Sequence, residues 1–204
     1  MQVNISQTND KLGSQIPSVS LPPEHSCRKD APCSKGCYGK KGTFLYENVK
    51  KSHMHNLACY VNDSDKYFKD IIDFLSGGLV SYKYFRWHTV GDIINYDYFL
   101  GMIKVAVKCK GTKFLCFTKK FDIINDYLNA GGTIPYNLKI IFSAWHKGFK
   151  VDNPYRFPVA YVNFKNKDMN PDIPELAIPC TGECWSCLSC WTLKKGQSVF
   201  FNQH

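Results

Sequence analysis

The central part of the chain alternates between segments of strand type and segments of helix type. Runs rich in aromatic and β-branched residues predict strands within residues 80–88, 113–120, 138–145 and 157–164. Apolar residues at helical spacing predict helices over 95–109 and 122–132. Strands separated by helices form right-handed β-α-β units and pair in parallel. The sequence therefore predicts an α/β fold with alternating β/α units, arranged as a parallel sheet or as a partial TIM-type β/α barrel.

Two further helices and one further strand are predicted outside this central part. The first helix lies in the second half of segment 38–61, and its inward residues are expected to be Val49, Met54, Leu57 and Ala58. The second helix covers 63–75, and the glycine pair at 77–78 ends it. A last strand is predicted at "SVFF", residues 198–201.

The N-terminal segment differs from the rest of the chain in composition. Residues 1–23 are mainly polar and end in Leu-Pro-Pro, which predicts an extended polar arm. Residues 24–204 have the length of one domain with a single core. We expect this part to be a single α/β metal-binding domain with cysteine-rich loops at both ends.

The chain contains ten cysteines, and their chemistry depends on the compartment. Residues 1–13 contain no apolar run, and no stretch is long and apolar enough to span a membrane. We therefore expect a cytoplasmic protein without a membrane partner. Thiols in the cytosol are kept reduced, and clustered ones bind metal more often than they form disulfides.

Four cysteines near the C-terminus follow the spacing C-x3-C-x2-C-x2-C. They are Cys180, Cys184, Cys187 and Cys190. Consecutive x2 spacings within one loop are typical of ferredoxin-type iron–sulfur sites, whereas structural zinc usually takes two separated pairs. This group is predicted to bind an iron–sulfur cluster, most simply [4Fe-4S], with zinc and metal-free thiols as the alternatives.

A second group near the N-terminus, Cys27, Cys33 and Cys37, has the spacing C-x5-C-x3-C and supplies three thiolates. A cluster here takes a fourth ligand from elsewhere or keeps an open iron, so the protein is expected to carry one or two clusters. Candidates for the fourth ligand are Cys180, Cys59, His25, His53, His55 and His204. The remaining cysteines, Cys59, Cys109 and Cys116, are interpreted primarily as small buried apolar residues.

The chain carries a formal net charge of +9. Such a surplus attracts phosphate backbones or acidic partners, but scattered lysines are also typical of a plain solvated surface. This leaves a second functional hypothesis, a zinc-stabilised basic module that binds nucleic acid or a host protein.

The segment "RWHTVGD" directly follows a predicted strand. Ligand sites of parallel α/β proteins collect where strands run into loops at their carboxyl ends. Arg86, His88 and Asp92 are therefore candidate catalytic residues that would point into one cavity. The alternative is a buried Arg86–Asp92 pair that only holds the loop.

Several stretches together resemble the bacteriophage gene-product-88 family. They are "SCRKDAPCSKGCYGKKGTFLYENVKKSHMHN", "FRWHTVGDIINYDYF", "FLCFTKK", "LKIIFSAW" and the cysteine-rich ending. The most specific parts are the loop from Cys33 to Tyr38 and the segment from Arg86 to Asp92. The resemblance runs from about Cys27 to the C-terminus and implies alternating β/α architecture, cysteine clusters and the host cell cytoplasm as the location.

The N-terminal triplet on an alternating β/α chain has a looser similarity to radical S-adenosylmethionine enzymes. Those enzymes use C-x3-C-x2-C, which differs from the spacing here, and the chain lacks a Gly-Gly-Glu motif. Fold likeness alone does not transfer a function. The leading functional hypothesis is an iron–sulfur protein in electron transfer, redox sensing or another redox reaction, with a redox protein or nucleic acid as partner.

Overall fold

The computed structural model describes residues 1–31, 33, 36–77 and 81–203, which form a parallel β-sheet with helices between its strands. The strands are Ser18–Val19 (β1), Tyr84–Trp87 (β2), Lys113–Thr118 (β3), Leu138–Ser143 (β4), Val159–Asn163 (β5), Ile178–Pro179 (β6) and Ser198–Asn202 (β7). They pair in the order β1-β2-β3-β4-β5-β7-β6, and every pairing is parallel. The predicted α/β class is therefore confirmed.

The helices occupy the connections between the strands. They are Pro23–Ser26 (α1), Glu47–Asn62 (α2), Ser64–Ser76 (α3), Tyr96–Lys108 (α4), Phe121–Asn129 (α5), Cys184–Cys187 (α6) and Ser189–Thr192 (α7). Short 3-10 turns cover Tyr38–Lys40, Gly42–Leu45 and Lys167–Met169. Capping side chains mark two helix starts, since Asp63 accepts from the Lys66 amide and Asn95 from the Tyr98 amide. No helix in the described part of the chain is long and apolar enough to cross a membrane.

The long helices lie on one face of the sheet because the first five strands follow each other in spatial order. Each right-handed crossover then moves to the next strand in the same direction and leaves its helix on the same side. The larger core cluster joins strand residues such as Phe85, Trp87 and Phe114 to Ile71 of α3 and Met102 of α4. We call this side of the sheet the helix face.

The direction reverses between β6 and β7, because β7 lies between β5 and β6. A right-handed connection that runs backwards along the sheet passes over the opposite side, which we call the loop face. This connection contains α6 and α7, and it packs Trp191 and Leu193 against Leu115 of β3 and Ile141 of β4. The C-terminal cysteine group therefore lies on the face that carries no long helix.

The N-terminal segment packs on both sides of the sheet. Leu12 and Ile16 belong to the loop-face core, whereas Val3 and Val19 belong to the helix-face core. The strand β1 within this segment pairs with β2. The division of the chain at residue 23 stays a prediction, but residues 1–23 bury several apolar side chains.

Most predicted elements are present near their expected positions, and the exceptions have physical reasons. Met54 was predicted to face inward on α2, which is wrong, because its side chain is exposed while Asn56, Cys59 and Tyr60 are buried. Asn56 can be buried because its amide bonds to Asn4 and to the Ser20 carbonyl. The strands β1 and β6 have two residues each, too few to show a period in the sequence.

Gly101 allows α3 and α4 to pack closely. A β-carbon at this position would lie 2.0 Å from Cε2 of Phe68. We expect Gly101→Ala to lower the free energy of unfolding. Three ring atoms of Phe68 would lie within 2.4 Å of the new β-carbon, so the steric cost lies towards the upper end of about 1–3 kcal/mol and exceeds the ~1 kcal/mol gain in helix propensity. Urea denaturation measures the effect. Gly111→Ala is the matched control, since nothing lies within 4 Å of that position, and equal losses in both variants would contradict the packing argument.

Candidate metal centre

The four C-terminal cysteines line one small pocket on the loop face. Cys180 directly follows β6, and its amide donates to the Phe200 carbonyl at 2.8 Å. Cys184 and Cys187 begin and end α6, and Cys190 lies in α7. Leu188 separates the two short helices in a left-handed conformation, with φ of 52°. This reversal lets one continuous loop present four thiols to the same pocket.

Backbone and aromatic contacts hold this loop in place. The Cys184 amide donates to the Lys11 carbonyl at 2.7 Å, which ties α6 to the N-terminal segment. The buried Trp191 donates from Nε1 to the Lys113 carbonyl at 3.2 Å and packs edge-on against Tyr84. These contacts attach the cysteine loop to the N-terminal segment on one side and to the sheet on the other.

The side chain of Arg86 provides a positive charge beside this group. Its guanidinium carbon lies 4.3 Å from the ring centre of Phe117, and its Nε donates to the Trp87 carbonyl at 3.3 Å. Burial raises the pKa of Cys190 to about 12 and also raises the pKa of Cys184, while Arg86 acts in the opposite direction on both. Among the described residues Arg86 forms no ion pair, so its charge acts on the thiols without a bound counter-charge.

Cys187 differs from its neighbours in the pocket. Its Sγ is hydrogen-bonded to Oγ of Ser189 at 3.0 Å. This bond and a second one to the Ser189 backbone lower the pKa of Cys187. Cys187 therefore loses its proton more readily than Cys184 and Cys190.

The N-terminal triplet lies at the carboxyl ends of β1, β2 and β3. Burial raises the pKa of Cys27 to about 12, with smaller upward contributions from Asp92, Cys33 and Cys37, while the positive charge of Lys119 acts in the opposite direction. Asp92 follows β2, and Lys119 follows β3. Ser26, next to Cys27, accepts from the Asp92 amide at 3.1 Å, and Tyr38, next to Cys37, donates to the Thr89 carbonyl. Both ends of the triplet therefore contact the loop after β2.

The three candidate residues of "RWHTVGD" point to different places, so they do not share the predicted cavity. Arg86 lies on the loop face over Phe117. His88 has φ of 55°, which turns its ring away from the strand alternation and onto the helix face, where Nε2 lies 3.0 Å from the Tyr98 hydroxyl. Asp92 belongs to the loop after β2 near the N-terminal triplet.

Asp92 joins two strands at their carboxyl ends. Its carboxylate accepts from Thr118 Oγ1 at 2.7 Å, from the Lys119 amide at 2.9 Å and from the Ile93 amide at 2.8 Å. The alternative prediction of a buried Arg86–Asp92 pair is not what the structure shows, because the described part of the chain contains no ion pair between them. Asp92 instead satisfies its charge with hydroxyl and backbone donors.

The other sequence candidates have separate surroundings. All ten cysteines lie in the described part of the chain and are free, and Cys59, Cys109 and Cys116 are buried as predicted. Cys59 lies 3.4 Å from Nε2 of His55. His204 lies outside the described residues, and the fourth ligand of the triplet stays open. Among the described residues, no three His, Cys, Asp or Glu side chains converge as closely as a bound metal ion requires.

Two residues near the triplet make contacts that the sequence did not predict. Tyr38 packs edge-on against Phe44 and donates from its hydroxyl to the Thr89 carbonyl. Thr118 connects Asp92 to the Lys120 amide. Both act through contacts between residues far apart in the sequence, which spacing cannot reveal.

A comparison with known families finds one match. The family model of gene product 88 matches residues 3–186. The chain belongs to the gene product 88 family. The match begins earlier than the predicted resemblance and ends before Cys187 and Cys190. No curated protein and no solved structure is significantly similar to the chain, so the likeness of this gene product 88 protein to radical S-adenosylmethionine enzymes is not shown.

We expect His88 to make the stability of the protein depend on pH. Burial lowers the pKa of His88 from 6.5 to about 3, so the unfolded chain binds a proton that the folded chain excludes between these values. Stability from this residue is complete above the unfolded pKa and falls as the pH is lowered towards the folded pKa. We expect a loss of about 1.4 kcal/mol between about pH 8 and pH 5.5.

Urea denaturation across this range measures the effect. His88→Gln removes the titrating group, so its stability should depend less steeply on pH than that of the wild type. Equal slopes for both proteins would show that His88 does not contribute.

Proposed function

We propose that the protein is a phage-type iron–sulfur protein that transfers electrons or senses redox state in the cytoplasm of the host cell. A [4Fe-4S] cluster is assigned to Cys180, Cys184, Cys187 and Cys190. A second cluster is assigned to Cys27, Cys33 and Cys37. The observation that carries the proposal is that four thiols from one loop line a single pocket.

The donor set of this pocket fits a thiolate-bound centre. Among the described lining residues, the four cysteines occur without any carboxylate or imidazole. Thiolates are the ligands of iron–sulfur clusters and also of structural zinc, whereas carboxylates and carbonyls suit harder cations. The chemistry of the lining therefore favours iron–sulfur or zinc over magnesium or calcium.

The surrounding residues have defined roles in this proposal. When bound, the cluster supplies a one-electron redox couple. Arg86 stabilises negative charge on the loop face, and Ser189 donates to the deprotonated Sγ of Cys187. Ile178, Leu188 and Val199 supply apolar walls that limit the access of water.

The N-terminal triplet supports a second centre on different grounds. Its three cysteines lie at the carboxyl ends of parallel strands, which is where ligand sites of such sheets collect. The positive charge of Lys119 counters the burial that raises the pKa values of Cys27 and Cys33. Three thiolates leave one position for another ligand or for a substrate.

The decisive measurement is iron, acid-labile sulfide and zinc per chain, together with an absorption spectrum, on protein purified without air. Iron matched by sulfide, with a broad charge-transfer band, is the expected result. Zinc without sulfide would contradict the cluster and favour the zinc-stabilised module.

Cys187→Ser tests the assignment of the C-terminal group. We expect it to lower both metal content and melting temperature, because ligand binding to such a site is coupled to folding. Cys109→Ser is the matched control, since Cys109 lies in the helix-face core near Ser76 and outside both groups. Unchanged metal content in Cys187→Ser would exclude this cysteine as a ligand.

Arg86→Gln tests the electrostatic role of the loop-face arginine. Loss of a positive charge beside the cysteines should lower the reduction potential by tens of millivolts, because added negative charge on reduction is then less stabilised. Protein-film voltammetry measures the potential. Lys108→Gln removes a charge from the exposed surface of α4 and should leave the potential unchanged. Equal reduction potentials in the Arg86→Gln and Lys108→Gln variants would exclude this electrostatic role and leave Arg86 only its packing on Phe117.

A further inference from the structure

A polar cleft of about 400 Å³ lies between the N-terminal segment and α2. One wall is formed by residues 4–6 and 8–10 and by Ser18 and Ser20, and the other by Thr43, Phe44 and residues of the first turns of α2. Its volume is within the range of pockets that hold small organic groups. The cleft contains none of the seven clustered cysteines, so it is separate from the candidate metal centres.

Some polar groups in this cleft are used by the protein, and others are open. Ser20 and Thr89 bond to each other at 2.7 Å, and Asn56 is occupied by Asn4 and the Ser20 carbonyl. In the part of the chain that the structure describes, the side chains of Thr43, Ser52 and His53 make no hydrogen bond. These three groups are available to a ligand that carries donors and acceptors on a compact frame.

Aromatic rings continue from the cleft to the surface. Phe44 and His53 lie with ring centres 6.3 Å apart at an interplanar angle of 38°, and both line the cleft. Tyr38 packs edge-on against Phe44 at 5.8 Å. Tyr46, two residues beyond Phe44, is 61% exposed. This row offers ring faces to planar groups both inside and outside the cleft.

Four exposed lysines, Lys40, Lys41, Lys50 and Lys51, form a lysine rim beside this wall. Lys40 and Lys41 directly precede the turn that carries the lining residue Thr43. On α2, helical spacing places Lys50 on the side next to the lining residues, whereas Lys51 lies on the far side and pairs with Glu47 at 3.8 Å. The segment 38–51 contains four lysines and one glutamate, so its net charge is +3. A ligand on this surface is therefore expected to carry several negative charges at its outer side.

We propose that the cleft and its lysine rim bind single-stranded nucleic acid, with one base held in the cleft and the neighbouring phosphates on the lysines. A planar base matches the aromatic row and the three open polar groups, and a phosphodiester chain matches the charge. A duplex keeps its bases stacked and paired, so only a single strand places a base in the cleft. The proposal does not depend on which metal the cysteines hold.

Fluorescence anisotropy with labelled oligonucleotides of about 12 nucleotides tests the proposal, with single-stranded DNA, single-stranded RNA and duplex DNA as separate arms. We expect tighter binding of at least one single strand than of duplex, with affinity falling steeply as KCl rises from about 50 to 300 mM. Replacement of Lys40, Lys41, Lys50 and Lys51 by Gln should weaken binding about tenfold or more and reduce the salt slope by about 2–3. Phe44→Leu should weaken binding about fivefold or more.

The matched control replaces four exposed lysines near β5 and β7, at the other edge of the sheet. They are Lys165, Lys167, Lys194 and Lys195. It removes the same charge and should retain most of the affinity and the salt slope. The proposal would be overturned if both quadruple variants lost affinity equally. It would also be overturned if the protein bound duplex as tightly as single strand, or a mononucleotide as tightly as the oligonucleotide. Iron, sulfide and zinc are measured on the same preparations. Failure of nucleic-acid binding with iron and sulfide present would then contradict this proposal and leave the iron–sulfur assignment intact.

Discussion

The handedness of connections in a parallel sheet is the constraint on which this structure depends. Strands β1 to β5 advance in one direction, so their right-handed crossovers keep the long helices on one face. The reversal at β6 and β7 sends the last connection over the other face. That connection carries four cysteines, and its placement between sheet and solvent follows from strand order rather than from the cysteines themselves.

The loop face depends on both ends of the described chain. Leu12 and Ile16 from the N-terminal segment and Trp191 and Leu193 from the C-terminal connection cover the same strands. The bond from the Cys184 amide to the Lys11 carbonyl joins these two coverings. A bound metal centre in the cysteine pocket would therefore stabilise contacts between residues far apart in the sequence, which links metal binding to folding.

Side chains of β2 alternate between the two faces of the sheet, and this alternation stops at His88. Within β2, Tyr84 and Arg86 face the loop side, while Phe85 and Trp87 enter the helix-face core. Simple alternation would place His88 beside Arg86. The left-handed backbone conformation of His88 turns its ring towards Tyr98 instead. This conformation is strained for a residue other than glycine and persists only where surrounding contacts hold it. For this local reason Arg86 and His88 lie on opposite faces of the sheet.

The sequence by itself determined the α/β class, most of the longer strands and helices, and the two cysteine groups. These features depend on the spacing of residues near each other in the chain, which periodicity and motifs record directly. Only the tertiary structure decided the two-residue strands β1 and β6, the exposure of Met54, and the placement of Arg86, Tyr38 and Lys119 relative to the cysteines. Such placements depend on strand order and on contacts such as those of Asn56 with Asn4, and short-range patterns contain no information about them.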